Sequence, residues 1–391
     1  MPANLPPEAK AKYAKYLDAK TTEEKIKTLE EFISAVPKHK GTENLMLWAR
    51  KKLAQLKQEL EDEHRRRKSG SSGIRFMIQK SGAAQVAVLG PANSGKSTLV
   101  HSLTGAKTTI ADYPYATRLP SPGMLPFEDV QIQLVDTPSL MLNEPDSQWN
   151  NRVIGLARNA DALLLVFSLD SPSLKQDIKL TLELLGDRGI EISKGKGYVY
   201  IERTRGVGEI KLYVNGRLNG FTEEHVRRVL REYRIYGAYV YIEGEVTLDD
   251  IEKAIFTRTM FKPTVIVLNK ADRSIYSRKE LLALKDIIPV EVPVLVGIGK
   301  SGRGFEKLGK ILFEKLEIIR IYTKEPNGEI ARQPLVLKKG ATVLDVAKSV
   351  HSRLVKNFKY AKIWGPSAKY PGERTGLDHV VEDGDIVEIH S

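Results

Sequence analysis

The chain has 391 residues, 61 Lys and Arg against 49 Asp and Glu, and no cysteine. That length allows two or three domains with real cores, and the cysteine count excludes disulfides, thiolate metal sites and cysteine nucleophiles. With 28% charged and 41% hydrophobic residues the sequence reads as globular rather than disordered, and its charge of +12 fits either a polyanionic partner or a solvated basic surface.

The N-terminal stretch MPANLPPEAKAKYAKYLDAK has no signal-peptide core. No apolar run nears the roughly 20 residues that span a bilayer. A cytoplasmic protein without a membrane partner is therefore expected. Residues 1–68 read as helical and highly charged. The segment Glu23 to Ala35 places Ile26, Leu29, Phe32 and Ile33 at helical spacing and is stopped by Pro37. A second segment, about Thr42 to Arg67, carries Leu45, Leu47, Trp48, Leu53, Leu56 and Leu60. An antiparallel helical hairpin is the expected form. Its basic end, His64-Arg65-Arg66-Arg67-Lys68, either docks on nucleic acid or is a solvated last turn favoured by the helix dipole. Ser69-Gly70-Ser71-Ser72-Gly73 reads as a flexible hinge closing a basic helical region over 1–73.

A nucleotide-binding domain starts near residue 74. The apolar run Gln85 to Leu89 leads into Gly90-Pro91-Ala92-Asn93-Ser94-Gly95-Lys96-Ser97-Thr98, and Leu99 to Thr104 can open a helix. Strand, glycine loop and helix form the setting of a phosphate-binding P-loop, here G-x4-G-K-S. Gly90 and Gly95 permit a tight turn in which successive N–H groups face a phosphate chain. Lys96 can reach the β- and γ-phosphates, and the Ser97 hydroxyl can ligate Mg²⁺. His101, inside the helix, reads as packed or solvated rather than catalytic. Switch I is expected over Ile110 to Arg118, with Thr117 meeting Mg²⁺ and Thr108 and Thr109 as alternatives. The strand Val130 to Val135 ends in Asp136-Thr137-Pro138-Ser139, where an acidic residue can hold Mg²⁺ through water. The wholly apolar Ala162 to Phe167 suits a buried parallel strand.

Residues 184–238 exceed a minimal nucleotide-binding domain. Tyr198 to Ile201 and Ile210 to Val214 read as strands around Gly206-Val207-Gly208. Phe221 to Tyr233 reads as a basic helix with Arg227, Arg228 and Arg231, followed by Arg234, which either contacts RNA or is solvated. This is a small inserted α/β subdomain. The strand Thr264 to Leu268 then delivers Asn269-Lys270-Ala271-Asp272. An aspartate there accepts two hydrogen bonds from guanine, at N1–H and the exocyclic amine; adenine offers no such pair. Behind a P-loop and an acidic strand, this motif points to GTP and GDP rather than ATP. The G domain is thus expected over 74–183 and 239–317.

From residue 318 to 391 the chain becomes strand-rich. Ile319 to Tyr322, Leu335 to Leu337, Tyr360 to Trp364 and Ile386 to Ile389 read as strands, with an amphipathic helix over Thr342 to His351. Asp383-Gly384-Asp385 turns into the last strand. The pattern suggests a compact β-grasp module.

The assembled motifs resemble the developmentally regulated GTP-binding proteins of the Obg GTPase superfamily, of archaeal type. The resemblance rests on KSGAAQVAVLGPANSGKST, ADYPYAT, NKAD and the tail RIYTKEPNGEI…FKYAKIWGPSAKY…GLDHVVEDGDIVEI, which is similar to a TGS domain. It implies a basic helical N-terminal region, a P-loop G domain, an inserted subdomain of ribosomal-protein-like fold and a β-grasp TGS module. It also implies ribosome or RNA association in translation and, in many members, a dedicated partner protein; DNA is not expected. Three departures stand out. The family pattern D-x-P-G of switch II is Asp136-Thr137-Pro138-Ser139 here. The guanine-supporting Ser-Ala is Ile298-Gly299 by alignment to Gly302-Arg303-Gly304, with a backbone N–H still able to meet the base oxygen. Asn93 stands where relatives often have serine. It resembles the asparagine of potassium-activated GTPases, which helps bind K⁺ beside the phosphates; a loop-capping asparagine is the other reading.

Leu140 occupies the position where signalling GTPases place a water-orienting glutamine, so slow intrinsic hydrolysis is expected. Catalysis would be electrostatic, from Lys96, Mg²⁺ on Ser97, Thr117 and Asp136, and loop N–H groups. The alternatives are a GTP-binding scaffold with negligible turnover and a P-loop ATPase or kinase.

Overall fold

The computed structural model describes residues 6–19, 21–37, 45–50, 52–54, 56–57, 60, 78–106, 119–193, 197–204, 208–256, 259–325 and 328–391. The basic run at 64–68, the hinge at 69–73, Gly206, Val207 and the switch I threonines Thr108, Thr109 and Thr117 lie outside these residues. The chain forms two compact units, one of residues 1–75 with 186–261 and one of residues 76–185 with 262–391.

The second unit contains a six-stranded sheet. Across the sheet the strands run Val294–Val296, Thr264–Asn269, Ala162–Ser168, Ala84–Leu89, Val130–Asp136 and Ser121–Phe127. All neighbours pair parallel except the last two, which form an antiparallel hairpin. The three central parallel strands are buried at every position, which is why each reads as a near-continuous apolar run. Parallel order sends their C-terminal ends to one edge, where Leu89, Asp136, Ser168 and Asn269 each hand over to a loop. Such an edge is where open α/β sheets place ligands.

Residues 318–391 of the same unit form a five-stranded mixed sheet, ordered Leu335–Lys338, Ile318–Lys324, Ile386–His390, Tyr360–Trp364 and Glu373–Thr375. The helix Val343–Val350 buries Val343, Val346 and Ala347 against Ile319, Ile321, Ala361, Ile363 and Val387. A capping box starts that helix, with the Asp345 carboxylate accepting from the Thr342 amide at 3.1 Å. One helix on a mixed sheet is the β-grasp arrangement. Its first strand also grips the hairpin turn of the larger sheet. Arg320 donates to both Asp383 oxygens, at 3.1 and 2.7 Å, and to Asp129 at 3.1 Å, and it pairs with Glu128. The Tyr322 hydroxyl donates to Asp129.

In the first unit the strands Gly197–Arg203, Ala238–Val246 and Ile210–Leu218 form a sheet in that order, with Ala238–Val246 at its centre. Residues 239–261, read above as part of the G domain, therefore belong structurally with the insert. The helix Glu223–Glu232 buries Val226 and Leu230 on this sheet and leaves Arg228 and Arg231 exposed. The N-terminal helices Pro7–Asp18 and Thr22–Ala35 share the same core. Tyr13, fully buried, packs its ring near Phe32, Trp48 and Tyr233, and its hydroxyl donates to the Ile255 carbonyl at 3.3 Å. Lys10 adds an ion pair to Glu232 at 2.5 Å. The apolar stripe of the N-terminal helices thus lies on the insert, about 200 residues away in sequence. Among the described residues, no helix is long and apolar enough to cross a membrane.

Candidate nucleotide site

Phosphate loop, acidic strand end and NKAD segment converge at the C-terminal edge of the large sheet. Gly95 has φ of +85° and precedes the helix Lys96–Thr104; a Cβ there would stand 2.3 Å from Asn269 Nδ2. Asn269 Nδ2 donates to the Ser94 carbonyl at 3.0 Å. Its Oδ1 accepts from the Lys270 and Gly299 amides, each at 2.7 Å. One amide side chain therefore ties the phosphate loop to both loops on the base side. The Ser102 hydroxyl adds a bond to the Gly299 carbonyl at 2.5 Å.

These bonds correct one expectation. The Gly299 N–H goes to Asn269, and the Ile298 N–H goes to the Arg303 carbonyl at 2.9 Å. Neither amide is left to meet a base oxygen. The reason is tertiary: Gly299 approaches so closely that a Cβ would lie 2.8 Å from Asn269 Oδ1. His101 is exposed and its Nδ1 lies 2.6 Å from the Ala106 carbonyl, a local helix-end contact.

Lys96 is buried, and its ammonium donates to the Gly90 carbonyl at 3.1 Å, the Pro91 carbonyl at 2.8 Å and Ser139 Oγ at 3.0 Å. Burial lowers its pKa to about 8, opposed by the charge of Asp136. Asp136 is fully buried. Burial raises its carboxyl pKa, and the Ser97 hydroxyl and Lys96 ammonium offset this only in part. Neither carboxylate oxygen accepts a hydrogen bond of full geometry among the described residues. A buried carboxylate left so poorly satisfied, beside a serine hydroxyl, suits a divalent cation with oxygen ligands. Thr117, the remaining expected ligand, lies outside the described residues.

Leu140 is 1% exposed and belongs to the core. Its N–H donates to the Gly90 carbonyl at 3.0 Å. Asn93 has φ of +58°, a left-handed conformation that asparagine tolerates better than most residues. Thr98 follows Ser97 in the first helical turn, and Asp272 lies in a short 3₁₀ turn with its side chain 3.9 Å from Arg273.

Two residues of this edge escape a reading of motifs. The Lys270 ammonium sits 3.0 Å from Asp170, whose other partner is the Ser168 hydroxyl at 2.5 Å. Burial would raise the Asp170 carboxyl, but these two donors prevail and hold it below the usual range. Ser168 and Asp170 flank the end of a buried parallel strand, and that position was the only available signal.

Residues 85–194 match the 50S ribosome-binding GTPase family, 207–318 the C-terminal region that accompanies it, and 319–391 the TGS domain. A GTP-binding protein of Methanocaldococcus jannaschii is 32% identical over 95% of this chain and 93% of its own length. The ribosome-interacting GTPase 1 of Saccharomyces cerevisiae is 31% identical over 94% of this chain and 99% of its own. The developmentally-regulated GTP-binding protein 2 homolog of Dictyostelium discoideum is 30% identical over 94% and 98%. With the fold and these similarities in hand, the chain belongs to the developmentally regulated GTP-binding proteins, GTPases that bind GTP and GDP with Mg²⁺ and hydrolyse GTP.

Proposed function

We propose that the nucleotide state of this GTPase gates its association with the ribosome or ribosomal RNA in the cytoplasm. Lys96 and the loop amides from Gly90 to Thr98 hold the phosphates, Ser97, Thr117 and Asp136 hold Mg²⁺, and Asn269, Lys270 and Asp272 hold guanine. The observation that carries the nucleotide-site part of this reading is Asn269, whose side chain joins the Ser94 carbonyl to the Gly299 amide. Because the Ile298 and Gly299 amides are engaged, the next amide, that of Lys300, is the donor for the guanine oxygen. The charge of +12 and the name of the yeast relative support the ribosomal partner.

Leu140, buried in the core, positions no water. Rate acceleration then comes from charge placed against the developing phosphate charge, by Lys96, the loop amides and Mg²⁺. Slow intrinsic turnover follows, and a GTP-binding scaffold is the second reading that this leucine favours.

Co-sedimentation with ribosomes, comparing a non-hydrolysable GTP analogue with GDP, tests the gate; equal association in both states would sink it. Displacement of labelled GTP by ATP at comparable concentration would remove the guanine assignment. Phosphate release with and without ribosomes separates the switch from the scaffold.

A further inference from the structure

Ser139 stands where the family pattern has glycine, and its side chain is built into the phosphate site. The residue is 8% exposed, and its Oγ accepts from Lys96 Nζ at 3.0 Å. The segment is anchored on every side. Thr137 Oγ1 donates to the Val88 carbonyl at 2.7 Å, the Leu140 amide donates to Gly90, and Trp149 Nε1 donates to the Ser139 carbonyl at 2.9 Å. The hydroxyl is thus held beside the lysine that reaches the β- and γ-phosphates. A hydroxyl that accepts from an ammonium still has one O–H to donate.

We propose that Ser139 determines selectivity for triphosphate over diphosphate, its hydroxyl donating to the γ-phosphate while accepting from Lys96. The inference rests on the nucleotide site described above. Once nucleotide draws one Lys96 N–H away from a loop carbonyl, one γ-phosphate oxygen can accept from Nζ while a second oxygen of the same phosphate accepts from Ser139 Oγ. The resulting chain, ammonium to hydroxyl to phosphate, has both bonds polarised in the same direction. GDP lacks the final acceptor. A glycine would offer the γ-phosphate only its backbone N–H. A hydrogen bond to a charged phosphate shifts affinity by about tenfold.

The test measures affinities of the full chain for GDP and a non-hydrolysable GTP analogue, with Mg²⁺, in wild type, Ser139→Ala and Ser139→Gly. Both variants should lose about tenfold for the triphosphate and stay within about twofold for GDP. Trp149, bonded to the Ser139 carbonyl, supplies a second readout. Its emission should respond to the GTP analogue but not to GDP, and Ser139→Ala should erase that difference, with Trp149→Phe identifying the signal. Unchanged triphosphate-to-diphosphate ratios in both variants would overturn the proposal, as would loss in the glycine variant alone. Lys96→Ala and Asp272→Asn serve as controls. If they weaken nucleotide binding while the serine variants change nothing, only the role of Ser139 falls. If they too leave binding unchanged, the nucleotide-site reading falls.

Discussion

The Asn269 amide donates to the Ser94 carbonyl at 3.0 Å, joining the guanine segment to the phosphate loop across 175 residues of sequence. Replacing Asn269 by alanine strands three groups at once, the Ser94 carbonyl and the Lys270 and Gly299 amides. Asn269→Ala should cost about 3 kcal/mol of stability and more than tenfold in GTP affinity. Chemical denaturation with and without GTP measures both.

Asp272 is more exposed, its side chain retaining 47% of its accessible surface. Asp272→Asn should therefore leave stability within about 0.5 kcal/mol. Its effect should fall on the base instead, with weaker GTP binding and a gain for xanthine nucleotides, whose C2 oxygen accepts from the new amide. Competition between GTP and XTP reads the switch, and unaltered GTP affinity would refute the assignment.

Asp136 is buried without a well-formed hydrogen bond to either oxygen. Chelation of Mg²⁺ should lower GTP affinity by at least about tenfold in the wild type. In Asp136→Asn the loss on chelation should nearly disappear, because the site no longer holds the cation. Titration calorimetry with and without EDTA compares the two.

Arg320 is the common partner of Asp383, Asp129 and Glu128. Its hydrogen bonds hold the Asp383 carboxyl below the ordinary range. Burial would raise the Asp129 carboxyl, but the Tyr322 hydroxyl and then Arg320 overcome it and hold that group low as well. Carboxyls lowered in the folded state contribute stability above their unfolded pKa, about 4. That contribution is lost as pH falls through the lower folded values. Arg320→Met should cost about 1–2 kcal/mol at pH 7, discounted for the exposed side of the cluster. It should also flatten the acid limb of the stability curve, as thermal melts across pH would record.

Asn93 carries a test of potassium. If its oxygen ligates K⁺, GTP hydrolysis should rise with KCl over NaCl, and Asn93→Ser should abolish the rise. Asn93→Gly keeps the left-handed backbone, whose φ is +58° here, and so isolates the side chain. Potassium stimulation persisting in the glycine variant would assign asparagine to the turn alone.

The local chemistry was legible in one dimension. G-x4-G-K-S and NKAD are contiguous motifs whose meaning depends on neighbouring backbone groups, and the near-continuous apolar runs at 85–89, 162–167 and 264–268 mark strands that are buried on both faces. The helix Val343–Val350 and four of the five strands of residues 318–391 follow from period and turn chemistry in the same way, whereas the edge strand Glu373–Thr375 and the short helix Ser352–Lys356 do not.

What the sequence by itself determined is therefore the parts list: a phosphate loop, an acidic strand end, a guanine motif, an insert and a β-grasp tail. Tertiary structure decided which side chains meet. It set Ser139 on Lys96, paired Lys270 with Asp170, spent the Gly299 amide on Asn269 and laid the N-terminal helices on the insert. The physical reason is range. Strand period, glycine turns and caps are written in neighbours a few residues apart. Hydrogen bonds and burial between residues 30 to 240 positions apart depend on how the sheet brings their loops together.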